Sequence, residues 1–219
     1  MVERYHDHLS PKKAMSGRTK RGRISITVGC MYSGKSSDLC RRVRRARIAG
    51  KNVQVFKSAL DDRAGYGGVE KVSSHDGMHM EGTPVRNAME ILTMLSADTD
   101  VVAIDEVQFL DDAIVDVVRE LADTGLDVII AGLDMDYRGN PFGPVGPLMA
   151  IAEEVTKLDA VCVRSGGQAT RNQRLIDGQP APADGPTVLV GARDHYEARC
   201  VDCHEVPRSA TRTRRPAAV

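Results

Sequence analysis

The chain has 219 residues, 42% of them hydrophobic and 27% charged, with a formal net charge of zero. That is room for one ordinary domain with a small appendage, and enough apolar content for a real core. No apolar run approaches the roughly 18 residues of a membrane helix, which excludes a transmembrane protein.

Charge is unevenly spread. Residues 1–23 carry seven Lys/Arg against two Asp/Glu, residues 207–219 carry four against none, and the stretch between is acidic. Both ends read as basic, solvated, disordered tails. Nucleic-acid arms are disfavoured, because base stacking calls for aromatic residues that the tails, Tyr5 apart, do not carry. The N-terminal stretch lacks an apolar segment and contains Glu3 and Asp7, which fits neither a secretory signal nor an acid-poor transit peptide, so a cytoplasmic location is expected.

Ile24-Ser-Ile-Thr-Val28 is a short β-branched run followed by glycine, and Leu39, Val43 and Ala46 then recur at helical spacing, so strand, loop and helix follow one another. Gly50 reads as the residue just past that helix, and Asn52 to Lys57 alternate as a second strand. Thr83-Pro84 reads as the cap and first position of a helix carrying Ala88, Ile91, Leu92 and Leu95 on one face. Val101 to Ile104 form a continuous apolar run, as expected of a strand buried on both faces. Ile114, Val117, Val118 and Leu121 mark another helix, and Val128 to Ala131 another buried strand. Strands alternating with helices predict an α/β fold with a parallel sheet covered on both faces, spanning residues 24–160. Beyond that, Gly166-Gly167, Pro180, Pro182, Gly185 and Pro186 interrupt helical patterning and leave short strand-like pieces such as Thr187-Val-Leu-Val190. Residues 161–206 therefore read as a second, small unit organised by loops or a metal.

Gly29-Cys30-Met31-Tyr32-Ser33-Gly34-Lys35-Ser36 satisfies the phosphate-loop pattern in the right context, after a strand and at the opening of a helix. The glycines let backbone N–H groups curl around phosphate oxygens, Lys35 supplies charge, and Ser36 can hold Mg²⁺. The fold is thus expected to be of the P-loop, RecA-like kind. Asp105 ends a buried strand, the position of a second Mg²⁺ partner, and Glu106 beside it is a general-base candidate for phosphoryl transfer. Arg63, after Asp61 and Asp62, could approach the phosphates, although a surface ion pair is the commoner outcome. Arg41, Arg42, Arg44, Arg45 and Arg47 read mostly as a solvated helix face. His75 and His79 have the spacing of helical zinc ligands, but Gly77 lies between them and argues against a helix. Cys200-Val-Asp-Cys203 is a thiolate pair at metal-ligand spacing, and Cys162 opens a facing Cys162-Val-Arg-Ser165. Three cysteines leave the fourth zinc ligand open, since the neutral Ser165 hydroxyl is a poor ligand for Zn²⁺, with His204 or water as candidates.

Together these motifs resemble the thymidine kinases of the cellular and bacterial type, P-loop enzymes with a zinc-binding lasso domain. The resemblance runs over about residues 24–206. It rests on Gly29 to Ser36, Asp105-Glu-Val-Gln-Phe109, Gly132-Leu-Asp-Met-Asp-Tyr137, Gln173-Arg-Leu175 and the segment Gly191 to His204. It implies ATP as donor, the 5′-hydroxyl of deoxythymidine as acceptor, Mg²⁺ as bridging ion, Glu106 as base, and Ser36 with Asp105 at the metal. By the same resemblance Val107 and Gln108 accompany Asp105 and Glu106 at the nucleotide. The thymine ring would be closed in by Thr187, Val188, Leu189, Val190 and Gly191, with Tyr196 beside it. Phe109, Leu133 and Tyr137 would form walls, and Met31 would face the 5-methyl group. A homotetramer and feedback inhibition by the triphosphate end product are also implied; on the residues themselves no membrane partner is expected and a nucleic-acid partner is disfavoured.

Three positions depart from the family pattern. Ser165 stands at the usual second zinc cysteine, Asn172 at a usual threonine, and Val201 at a usual polar or basic residue. Two other readings stay open on the residues alone. One is a P-loop ATPase working with nucleic acid, the other a nucleotide-binding regulator without turnover.

Overall fold

A computed structural model describes residues 20–60, 71–73, 79–187 and 195–207. In chain order the elements are β1 (Ile24–Gly29), α1 (Lys35–Ile48), β2 (Val53–Ser58), β3 (Lys71–Ser73), β4 (His79–Glu81), β5 (Thr83–Val85), α2 (Ala88–Thr93) and β6 (Val101–Asp105). After a 3-10 turn at Val107–Phe109 come α3 (Ile114–Asp123), β7 (Asp127–Gly132), α4 (Val145–Ile151) and β8 (Glu154–Leu158). The smaller unit holds β9 (Ala160–Val161), β10 (Gln168–Ala169), β11 (Arg171–Ile176), β12 (Gln179–Pro180) and β13 (His195–Arg199).

Six strands form one parallel sheet in the order β5-β2-β6-β7-β1-β8. One strand, β7, therefore separates the phosphate-loop strand β1 from β6, which ends in Asp105, and this is the RecA-like arrangement expected. Residues alternate between the faces. Val102 and Ile104 of β6 join Ile24, Ile26, Val28 and Ile130 under α2, α3 and α4, while Ala103 and Ala131 pack against Leu39, Cys40 and Val43 of α1. Such double coverage explains why β6 is buried along its whole length. Helix α3 buries Ile114, Val117, Val118, Leu121 and Ala122, the stripe its spacing predicts.

The expected helix at Thr83-Pro84 begins later. Thr83 to Val85 instead pair with β2 at the edge of the sheet, where Pro84 need not donate to a further strand. The helix starts at Ala88, capped by Asn87, whose side chain accepts from Glu90 N. The last residue expected on its face, Leu95, lies beyond its end. Gly50, at φ +76, does follow α1 in the left-handed conformation. The small unit is antiparallel, with β11 between β12 and β13 and a separate β9–β10 pair. Among the described residues no helix is long and apolar enough to cross a membrane. The tails 1–19 and 208–219, Asp61 to Arg63, His75 and Val188 to Gly191 lie outside the described residues.

Candidate active site

Because the strands run parallel, the loops after β1, β6 and β7 open at one edge of the sheet, where ligands of such folds bind. Gly29 ends β1 at φ +147, and a Cβ there would stand 2.3 Å from the Leu158 carbonyl oxygen. Gly34 caps α1 at φ +88. Between them Ser33 Oγ and Lys35 Nζ each donate to the Cys30 carbonyl, both at 2.7 Å. The loop residues expected at the triphosphate thus form one compact turn, with the lysine ammonium folded into it. Ser36 Oγ donates to Asp105 Oδ2 at 3.3 Å, so a hydroxyl of α1 and a carboxylate of β6 meet beside the phosphate loop.

Glu106 is buried and left-handed, at φ 52 and ψ 41, an uncommon conformation for a residue with a side chain. Its N–H donates to Asp105 Oδ1 at 3.0 Å, and Gln108 Nε2 donates to its carboxylate. Gln108 Oε1 in turn accepts from Leu133 N at 2.9 Å, tying the 3-10 turn to the end of β7. Gly132 leaves room for this tie, since a Cβ there would come 2.9 Å from Gln108 Oε1. Gln108 therefore orients Glu106, while Val107 is packed into the core.

The structure places the expected wall residues in two groups. Phe109 stacks edge-on against Phe142 with ring centres 5.7 Å apart, and Leu133 is half-buried at the same edge of the sheet. Tyr137 lies deeper. Its hydroxyl is 3.0 Å from the Pro182 carbonyl and 3.1 Å from that of Gly185, and its ring lies 4.4 Å from the Arg138 guanidinium and 5.1 Å from that of Arg174. Arg138 also donates to the Ala183 and Gly185 carbonyls and to Thr187 Oγ1, and Arg174 to the Pro186 carbonyl at 2.7 Å. Tyr137, Arg138 and Arg174 thus hold residues 182–187, the base of the expected lasso. Tyr32 reaches the same unit, its hydroxyl donating to the Tyr196 carbonyl at 3.2 Å.

Met31 N donates to Asn172 Oδ1 at 2.7 Å, and Asn172 Nδ2 donates to the Met135 carbonyl at 2.8 Å. Asn172 is buried, so both ends of its amide are used in joining the phosphate loop to the segment after β7. Reading along the chain missed Asn172 as a bridge, Gln108 as the support of Glu106, and the Arg138–Arg174 pair. The only local signal was composition, a buried run Asn172-Gln173-Arg174 too polar for a core strand.

The Sγ atoms of Cys162, Cys200 and Cys203 lie within 4.8 Å of one another. Zinc with four ligands and Zn–S bonds of about 2.3 Å holds sulfurs about 3.8 Å apart, so the three fit the metal with a small adjustment. His204 is not in this group, its Nε2 lying 2.9 Å from the Tyr137 carbonyl oxygen. The Ser165 hydroxyl, followed by the Cys200 backbone, pulls the Cys162 thiol down to about 6. Cys203 moves up instead, first through the Cys200 sulfur and then through burial. The cluster packs with Cys30, whose thiol donates to the Ala169 carbonyl at 3.2 Å, so the cysteine turns and the phosphate loop share one small core.

The family model for thymidine kinase matches residues 22–204. The chain belongs to the thymidine kinase family. Membership makes it an ATP-dependent phosphotransferase, with thymidine phosphorylation as the implied reaction. The matched stretch contains both the parallel sheet and the cysteine triad, so phosphate loop and cysteine turns belong to one family unit.

Proposed function

We propose that the chain transfers the γ-phosphoryl group of ATP to the 5′-oxygen of deoxythymidine, with Glu106 as the base. The observation that carries this reading is Glu106 itself, held in a left-handed conformation beside Asp105 and oriented by Gln108. Strained, over-determined carboxylates of this kind mark sites where position matters to function. Glu106 takes the proton from the 5′-hydroxyl, the freed oxygen attacks the γ-phosphorus, and ADP leaves. Residues Gly29 to Ser36 wrap the triphosphate, and Lys35 turns its ammonium from the Cys30 carbonyl toward the outer phosphates. Ser36 and Asp105 would hold Mg²⁺, which would supply positive charge to offset that of the phosphates.

Phe109, Leu133 and Met31 face the nucleoside, and Tyr137 acts one step behind it by anchoring the segment that closes over the base. In this reading residues 24–160 bind the nucleotide and 161–206 close on the nucleoside, while Arg21, Gly22 and Arg23, at the end of the expected N-terminal tail, bond to Asp123, Ala122 and Asp127 of the nucleotide-binding part. The enzyme works in the cytoplasm as a homotetramer, as the resemblance implies. Zinc would be held by the cysteine triad and would brace the closing unit.

The test is transfer from γ-labelled ATP with Mg²⁺, comparing thymidine, deoxyuridine, deoxycytidine and no nucleoside. Label should enter thymidine monophosphate. Glu106→Gln should lower transfer by about 10²–10⁴-fold, the range of a lost general base, with ATP binding kept. Free phosphate alone would overturn the kinase reading, and an undiminished rate in the variant would remove Glu106 as base.

A further inference from the structure

The turn Cys162-Val-Arg-Ser165-Gly166-Gly167 is folded as a chelating loop although its second ligand position holds a serine. Cys162 N–H donates to the Gly167 carbonyl at 2.7 Å and Gly166 N–H to the Cys162 carbonyl at 2.8 Å. Gly166 takes the left-handed conformation, at φ +73, that closes the turn. This geometry aims Ser165 at the thiols, its Oγ lying 3.5 Å from Cys200 Sγ. The facing turn is braced independently. Buried Arg199 donates to the Cys203 carbonyl at 3.1 Å, and its guanidinium is held by Glu197 at 2.7 Å. Neither ring nitrogen of His204 joins the thiol group, its Nε2 lying at the Tyr137 carbonyl, whereas the Ser165 hydroxyl, which also accepts from Gly167 N–H at 3.3 Å, stands beside the sulfurs.

We propose that this chain binds zinc through three thiolates, Cys162, Cys200 and Cys203, and one oxygen, the Ser165 hydroxyl. The inference rests on the triad being a metal site and adds the identity and chemistry of the fourth corner. A neutral hydroxyl donates less charge than a thiolate, so the zinc carries a net charge near −1 with its ligands instead of −2. Ser165 is also exposed whereas Cys162 is buried, so the oxygen corner is the one that water or a chelator reaches first. The result is a soft, three-thiolate site with one exchangeable position, suited to a metal that can be lost and regained.

The test uses the full chain loaded with Co²⁺, together with Ser165→Cys and Ser165→Ala. Sulfur-to-cobalt charge-transfer absorption follows the number of thiolates bound, so the natural protein should show about three quarters of the intensity of Ser165→Cys. Supporting residues around a metal alone shift affinity about 10–100-fold, so exchanging a direct ligand should slow zinc transfer to a chromophoric chelator in Ser165→Cys by at least about tenfold. Ser165→Ala should keep the three-thiolate intensity and release zinc several-fold faster than the natural protein. Equal charge-transfer intensity in the natural protein and Ser165→Cys would overturn the proposal, as would identical zinc release from the natural protein and Ser165→Ala. Absence of any charge-transfer band in all three folded proteins would overturn the metal site itself, a separate failure from that of the oxygen corner. None of these readouts depends on kinase activity.

Discussion

Replacing Asn172 with alanine removes one side chain but breaks two connections. Its Oδ1 accepts from Met31 N at 2.7 Å and its Nδ2 donates to the Met135 carbonyl at 2.8 Å, and the residue is 2% exposed. The substitution leaves a backbone donor and a backbone acceptor without these partners. Each buried unsatisfied group costs about 1–3 kcal/mol, so the change should destabilise by about 2–4 kcal/mol, allowing for partial rescue by water. In a chain of this size that corresponds to a fall in Tm of about 5–10 °C. Releasing Met31 also loosens the phosphate loop, so KM for ATP should rise along with the stability loss. Asn172→Asp separates the two bonds, since it retains the acceptor for Met31 N–H but places a carboxylate oxygen against the Met135 carbonyl. It should be destabilised at least as much as the alanine variant near neutral pH. Urea unfolding and steady-state kinetics on the three proteins make the comparison. A loss below about 0.5 kcal/mol in Asn172→Ala, the range of an ordinary surface change, with unaltered KM would refute the bridging role.

Two further outcomes follow from the same geometry. Burial by itself would raise Asp38, but hydrogen bonds from Arg41, Thr27 and Arg42 outweigh it and leave its carboxyl below the ordinary value. The stability this provides is present above the unfolded pKa of about 3.9 and is lost as pH falls through the folded value. The gap in unfolding free energy between the natural protein and Asp38→Asn, about 1–2 kcal/mol for a carboxylate with several charge-assisted bonds, should therefore hold near neutral pH and shrink below about pH 4. A gap that widened on acidification would contradict it. Tyr137→Phe keeps the ring beside the Arg138 and Arg174 guanidiniums but removes the hydroxyl that reaches the Pro182 and Gly185 carbonyls. KM for thymidine should rise about 5–20-fold with a smaller change in KM for ATP, a loss of about 1–2 kcal/mol; equal changes in both constants would argue against a role in nucleoside closure.

Features that depend on neighbours in the chain were legible from residue order. The phosphate loop needs two glycines, a lysine and a serine within eight residues, and the strand and helix around it are written in adjacent apolar spacing. Asp105 and Glu106 were legible for the same reason, as acids ending an unbroken apolar strand. The cysteine turns were visible as spacings, including the serine in place of a thiol. Thr83-Pro84 shows where local signals mislead: a pair with the chemistry of a helix start was taken by the sheet edge, because β2 had an open side for it.

Contacts between segments far apart in sequence arose only once the chain was packed in three dimensions. Asn172 meets Met31 across 141 residues, Tyr137 meets Pro182 across 45, and His204 is occupied by the Tyr137 carbonyl across 67. Each partner is a backbone atom, which every residue possesses, so no residue type in the sequence announces the pairing. The support of Glu106 by Gln108 spans only two residues, but its orientation depends on Leu133 from the next strand. Sequence order thus determined which chemical groups the chain possesses and which local turns present them. Sheet pairing and burial determined which backbone groups those side chains could reach, because a buried amide or guanidinium must find partners wherever the fold brings them.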